Sequence, residues 1–366
     1  MVAAGSGGFT VPDEMANLGW ANVMSYGAAG NGSTDDTAAV TAAIAALPAA
    51  GGVLYFPPGT YKTTGGFTLT TPCTVIGMGR NISKVTCTSG SASLFTVQSP
   101  DVSFGGLSLV NTAAGTPTAG AGINLNTNGG TTSGDYARYQ DLTISGFWID
   151  ANITYGTRWH MSGCVLANAV SRALVMKNLN SSTGWIGEWT LESSWFVAGT
   201  RTNGTAYAIE WQGGSGGRID SIEIISEGSD FWPNGLFIAP DSTLSGYLDP
   251  FLISNSVMNG CEGACIVVTV TGGVEFHNLD IVNCHLNPGW NGTSSNFAIA
   301  VDASAGNVTN IMVANCSLNA ETATSNAAIA LNNVDSVRVT GCLTDGFSGG
   351  VVSQTACSDV VVTASA

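Results

Sequence analysis

Ile281-Val282-Asn283-Cys284 before His285, Val313-Ala314-Asn315-Cys316 before Ser317, and Val339-Thr340-Gly341-Cys342 before Leu343 are three copies of one phrase, spaced about thirty residues apart. Looser copies lie upstream as LISNS at 252–256, TLESS at 190–194 and MSGC at 161–164. A unit of that length cannot bury its apolar face alone, so successive copies must stack.

Aligned on a nine-residue phrase, the last column reads Thr112, Phe147, Cys164, Ser194, Glu227, Ser256, Cys284, Cys316 and Cys342. The column before it reads Asn111, Gly146, Gly163, Ser193, Ser226, Asn255, Asn283, Asn315 and Gly341. Asn and Gly accept a left-handed backbone most readily, which predicts a sharp bend repeated in register with Asn side chains laddered. The fourth and sixth positions are apolar, as in Leu279 with Ile281 and Val337 with Val339, the period of a strand with one buried face.

A second short strand is expected after each bend, at 123–125, 173–176, 208–211, 236–238, 265–268, 298–301 and 328–331. Parallel coils about 4.8 Å apart, joined by right-handed crossovers, give an all-β fold, a right-handed parallel β-helix or solenoid. The interval from Phe147 to Cys164 is short for a coil, so either that coil is minimal or the register slips there.

The N-terminal part differs. Ser33 or Thr34 can cap a helix running through Asp35-Asp36-Thr37 and AAVTAAIAAL, with Pro48 after its end. Such an N-terminal capping α-helix would close the open end of a solenoid. The expected organisation is a lead or attachment segment over 1–21, an opening module with the helix and first strands over 22–62, and the β-helix over 63–366.

Composition narrows the partners. A formal charge of −15 with only three Lys argues against nucleic acid, and no apolar run is long enough for membrane insertion. Anionic polymers would be repelled unless an Arg patch or a metal ion intervened. The start, MVAAGSGGFTVPDEM, has neither the basic nor the apolar region of a secretory peptide. Of nine Cys, four share the last column of the repeat and are expected as a stack of buried thiols, while Cys261 and Cys265 could be paired or free. Asp and Asn in turns could hold Ca²⁺, but no twelve-residue loop signature supports it, so no cofactor is expected.

Residues 23–61, VMSYGAAGNGSTDDTAAVTAAIAALPAAGGVLYFPPGTY, resemble the opening module of the pectate-lyase-like superfamily, which includes phage tailspikes and tail-associated polysaccharide depolymerases. The Gly-rich lead, the Asp35-Asp36-Thr37 helix start and the run Phe56-Pro57-Pro58-Gly59-Thr60-Tyr61 carry the likeness. The resemblance implies a homotrimeric virion protein that works outside the cell beside other virion tail proteins, contacting a cell-surface polysaccharide and usually cleaving it. Two alternatives stay open: a non-catalytic virion adhesin, and a secreted bacterial polysaccharide lyase or glycoside hydrolase. For a lyase of the pectate-lyase kind, Arg158 or Arg218 would serve as base.

Seven of the nine Trp lie between 148 and 232, among Glu188, Glu192, Glu210, Asp220, Glu223, Glu227 and Asp230. Sugar recognition needs flat apolar faces together with carboxylates or amides, so this stretch is the expected binding groove. Trp159 and Trp189 fall on the inward fourth position and are expected in the core. Trp148 and Trp195 fall on an outward position and could form a platform about 9.6 Å long, or be half-covered by a loop or subunit. His160, Glu192 and Glu223 face outward on neighbouring coils, with the carboxylates about 7–8 Å apart at Cβ, a separation suited to acid and base or nucleophile roles. Asp141, Arg158 and Glu188 should stack beside them, tuning the site or merely pairing with one another. Glu227 replaces a small residue and is a further catalytic candidate; Glu210, Trp211, Asp230 and Trp232 complete the expected substrate-binding set.

Overall fold

A computed structural model describes residues 19–125, 136–153, 158–177, 186–198, 206–212, 219–225, 228–230, 232, 234–240, 247–271, 273–289 and 296–363. The chain is a right-handed parallel β-helix, and each full coil contributes three strands. In one coil these are Glu275–Val282 on a first face, His285–Pro288 on a second and Ile299–Asp302 on a third. Strands of the first two faces join in a sheet of 24, and the third face is a sheet of 11 running from Phe67–Leu69 to Val352–Thr355.

The bend between the first and second faces sits where the Asn column was expected. Asn255, Asn283 and Asn315 have φ of 51°, 56° and 54°, with Ser193 at 52° and Gly163 and Gly341 at 60° and 62°. Each left-handed residue turns its N–H toward the next coil: Asn283 N donates to Ala314 O at 2.9 Å and Asn315 N to Thr340 O at 2.9 Å. The Asn283 amide also donates to Asn255 Oδ1 at 3.4 Å.

The two weakest coils of the alignment are corrected by five residues. Leu142 pairs with Leu107, and Thr143 pairs with Val165 just after Cys164, so Leu107 and Leu142 occupy the last column instead of Thr112 and Phe147. The left-handed bends there are Gly106, φ 61°, and Asp141, φ 50°, and the strands Val102–Asn111 and Arg138–Ser145 run on through them.

Inward columns hold the core. Trp159 and Trp189 are buried with ring centroids 5.4 Å apart, continuing a run of aromatic contacts from Phe104 through Tyr139. The Cys stack is present: Cys164, Cys284, Cys316 and Cys342 are buried free thiols, and Cys284 N donates to Cys316 Sγ at 3.4 Å. Cys261 and Cys265 are likewise free and buried.

At the N-terminal end the helix, α1, spans Thr37–Ala45 and buries Ala39, Val40 and Ala43, in contact with the 3-10 turn Val23–Tyr26 and the strand Trp20–Asn22. Its N-cap is Asp36, one residue after the strand Asn31–Asp35 that contains Ser33 and Thr34. Asp35 Oδ1 accepts from Thr37 N at 2.9 Å, satisfying one of the helix's orphan donors, while the Asp36 carboxylate turns back to accept from Ala29 N and Gly30 N at 2.7 and 3.1 Å. The acidic pair therefore ties the opening turn to the helix start.

One buried carboxyl stands apart from this pattern. Asp150 is fully buried; Oδ1 accepts from Phe147 N at 3.2 Å, and Oδ2 has no partner among the described residues. Burial holds its pKa well above the ordinary value, against the lowering effect of backbone donors from Phe147 and Ala167. A carboxyl with a raised folded-state pKa contributes stability that is complete below its unfolded pKa of about 3.9 and is lost as pH rises through the folded value. We expect Asp150→Asn to raise the melting temperature at pH 7 and to flatten its decline between pH 4 and pH 8, checked by thermal unfolding across that range.

Candidate active-site face

The first face gathers charge on four neighbouring coils. Arg138, His160, Thr190 and Glu223 form one outward file by strand register, and Glu192 lies two residues further along the Thr190 strand. His160 Nε2 and Glu192 Oε1 are 2.9 Å apart, both side chains about 40% exposed at 39% and 42%. Glu192 thus sits diagonally between His160 and Glu223, one coil from each, and the expected grouping of these three residues is what the register produces. Arg138 is exposed and makes no ion pair among the described residues.

Beside this file runs the second left-handed column of the coil. In later coils it is filled by Asn278, Asn310, Ser336 and Asp359. Here it is filled by Tyr136, Arg158 and Glu188, with φ of 60°, 57° and 59°. Arg158 Nε donates to Glu188 Oε2 at 2.5 Å, its Nη1 donates to the Tyr136 hydroxyl at 2.5 Å, and the guanidinium lies 5.3 Å from the Tyr136 ring centroid. These contacts raise the Arg158 pKa, Glu188 first and Tyr136 second. Asp141 does not join them; it belongs to the bend column and pairs with Arg80 at 3.3 Å. Left-handed backbone costs an ordinary side chain roughly 1–2 kcal/mol, more than an exposed ion pair returns. Such strain concentrates at working sites.

The aromatic expectations divide. Trp195 opens the second-face strand Trp195–Val197 and is 43% exposed. Its indole lies along the next coil over Gly228, where a Cβ would come within 2.3 Å of the ring, so glycine is what lets the ring lie flat. Trp148 does not share that file. With the register corrected it leads into the third-face strand Ile149–Ile153, half-buried, its carbonyl accepting from Ser171 N at 2.9 Å. The paired platform is therefore overturned.

Trp211 and Trp232 are buried in the core and cannot touch a ligand. Trp211 follows Met176 and precedes Ile238 in an inward file. Glu227 and Arg218 lie outside the described residues, as does the side chain of Asp230, whose backbone is in the strand Gly228–Asp230.

The third face carries a cluster the repeat alignment did not isolate. Glu210 faces away from the core, between inward Ile209 and Trp211, yet is only 6% exposed. Arg172 Nε and Gln212 Nε2 both donate to its carboxylate, and the Arg172 guanidinium lies 4.9 Å from the Tyr207 ring centroid. Tyr207 stacks on Phe237 at 4.6 Å and 17°. Burial raises the Tyr207 pKa, partly countered by Arg172. The signal was present: Arg172, Tyr207 and Asn234 occupy the same slot before Ala173, Ala208 and Gly235.

Comparison with known proteins bears on the fold. Residues 20–118 match the family model of rhamnogalacturonase A/epimerase, pectate lyase-like. Mannuronan C-5 epimerase AlgE5 of Azotobacter vinelandii is 42% identical over 74 residues, which is 18% of this chain and 7% of the relative. The matched part is thus a small fraction of that protein. Across the solved structures, the A-module of Azotobacter vinelandii mannuronan C-5 epimerase AlgE4 superposes with a TM-score of 0.65 at 14% identity, covering 94% of this chain and 95% of the module. Tailspike protein 2 from Escherichia coli bacteriophage CAB120 superposes with a TM-score of 0.54 at 15% identity, covering 85% of this chain and 42% of the tailspike. At these identities the shared property is the β-helix itself.

Because the Tyr136, Arg158 and Glu188 column is strained, an Arg158→Asn/Glu188→Asn double variant should be as stable as the parent or up to about 2 kcal/mol more stable in urea unfolding. A loss of more than that amount would show the trio to be structural.

Proposed function

We propose that the protein binds a cell-surface polysaccharide and cleaves it on the first face, with Glu192, Glu223 and His160 as the reacting groups. The observation that supports this most directly is the 2.9 Å contact of His160 with Glu192, one coil from Glu223 and beside a column of strained charged residues. Two carboxylates on adjacent coils about 7–8 Å apart at Cβ can serve as proton donor and as base or nucleophile across a glycosidic bond. Glu192 fixes one nitrogen of the His160 ring, leaving the other toward the outer face, where it can accept or return a proton. Arg138 and Arg158 supply positive charge for acidic groups on the sugar or for developing negative charge. Trp195, three residues after Glu192 and round the bend, offers a flat face to a ring at the edge of the site.

The second reading is elimination with His160 as base, favoured by the Glu192 contact that orients its ring. Either chemistry suits a tail-associated virion protein that assembles as a trimer with other tail proteins, a role supported by the likeness to a phage tailspike. A secreted polysaccharide enzyme is supported by the match to the epimerases.

Envelope polysaccharides from a panel of candidate hosts, incubated with the parent and with Glu192→Gln/Glu223→Gln, separate these ideas. New reducing ends alone mark hydrolysis, and unsaturated products absorbing in the ultraviolet mark elimination. We expect the double variant to lose cleavage by at least about 100-fold at unchanged melting temperature. Cleavage by both forms would remove these carboxylates from the mechanism, and binding without cleavage by either would leave an adhesin.

A further inference from the structure

The third face continues past the Arg172 cluster into a groove of about 390 Å³. Its apolar floor is the outward file Val267, Ala300 and Ala330, one residue per coil, flanked in the same file by Phe237 beyond the groove and by Ser353 within it. One rim is the file two residues further on, Thr269, Asp302, Asn332 and Thr355. The floor rises about 4.8 Å per step with small or flat side chains, so it offers a continuous apolar strip along the helix axis. The rim offers oxygen acceptors and donors at each step.

Asp302 and Asn332 are the polar centre of that rim. Asp302 Oδ1 accepts from Asn332 Nδ2 at 3.0 Å and from Ser304 N at 3.0 Å. The Ser304 side chain also bonds the Asp302 carboxylate, and Asp302 is exposed. The Ser304 backbone N–H holds the Asp302 pKa below its ordinary value, so the group is an ionised acceptor at neutral pH. At the other end the Tyr207 and Phe237 rings stack face to face, with Arg172 neutralised by Glu210.

We infer that this strip is a second glycan-binding site, taking an extended uncharged polysaccharide whose ring faces lie on Phe237, Val267, Ala300 and Ala330 and whose hydroxyls donate to Asp302 and Asn332. The pairing of a flat apolar floor with a polar edge is what a sugar ring presents in reverse. The ligand is uncharged because Asp302 is the sole charge lining the groove among the described residues, and an acidic sugar would meet it uncompensated. The nearest cation on that rim file, Lys177, stands four coils away, about 19 Å by the strand spacing. This site lies on a different sheet from Glu192 and Glu223, and it rests on the reading that the protein is a polysaccharide binder.

The test compares the parent with Asp302→Ala/Asn332→Ala, Phe237→Ala and Glu192→Gln/Glu223→Gln by affinity electrophoresis in gels containing uncharged or uronate-bearing bacterial polysaccharides. Sedimentation and thermal unfolding of each form accompany it. We expect the first two variants to weaken retention by an uncharged polymer at least tenfold, and the same loss when they are made in the Glu192→Gln/Glu223→Gln background, where cleavage of the polymer is removed. Because Asp302 is exposed, the rim variant should fold even where Phe237→Ala does not. Retention of the rim variant equal to the parent overturns the inference and leaves the polysaccharide reading intact. Retention of the parent by uronates alone overturns the uncharged class. A rim variant that changes oligomeric state instead of retention makes the groove a contact between copies of the chain. Failure of the parent to bind any polymer in the panel removes the inference together with the reading on which it rests.

Discussion

Every coil of this protein must hand its backbone hydrogen bonds to the coil above and below, and that one requirement fixes where bends, core and chemistry can be. An unpaired N–H inside a solenoid costs roughly 1–3 kcal/mol, so a bend out of register would be penalised on both neighbours. The left-handed residue solves the problem by turning the chain within one position while keeping its N–H aimed along the axis, as Asn255, Asn283 and Asn315 do. Once the bends coincide, alternation assigns every remaining side chain to the inside or the outside. Packing then claims the inner files, which Trp159, Trp189 and the Cys column fill.

Chemistry is therefore confined to outward files, and each file can be judged by what it departs from. The left-handed column is cheap for Asn, tolerable for Ser and Asp, and costly for Tyr, Arg and Glu. Coils that use Asn278 and Asn310 show what stability alone selects. The coils of Tyr136, Arg158 and Glu188 accept the cost where three outward ionisable groups already meet. A protein carrying a net charge of −15 also keeps three of its seven Arg, at 80, 138 and 158, on or beside this face. Arg80 pairs with Asp141 and Arg158 with Glu188 there, so the face is mixed in charge, an arrangement that orients a ligand and contributes little to folding.

How much of this could be read from sequence depends on whether a position is decided locally. The Asn and Gly of the bend column were legible because left-handed backbone selects residue type directly. The same rule misled at Asn111 and Gly146: the bend column runs through Gly106 and Asp141, where the strands continue while their buried positions shift phase, from Phe104 to Leu107 and from Tyr139 to Leu142, and Gly146 is a further left-handed turn at φ 80°. That five-residue slip carried Trp148 onto the wrong face. His160, Glu192 and Glu223 survived because the coils from Cys164 onward were correctly aligned. Trp211 and Trp232 read as groove residues only because aromatic composition was weighed without their direction. Glu210 does lie on an outward file, but whether an outward residue is exposed depends on what else packs over it, and no local pattern encodes that.

The geometry also limits how one polymer could use the outer surface. A chain lying along the axis stays on one face, because crossing a bend exposes it to a different set of files. Between the first and second faces the crossing is short: Glu192 points out, Ser193 makes the bend, Ser194 is buried, and Trp195 points out again over Gly228. Glu192 and Trp195 can therefore share a ligand that wraps the corner. Between the third and first faces the chain can also turn within one residue, as at left-handed Asn333, φ 56°, between the strands Ile329–Asn332 and Val334–Thr340. The Asp302 coil lies two coils beyond that of Glu223, so a polysaccharide held on the third-face strip would have to turn this corner and advance along the axis to reach the first-face carboxylates. The proposed retention on the third face and the proposed cleavage on the first would thus be separable, joined by the length of the polymer and not by a contact between the sites.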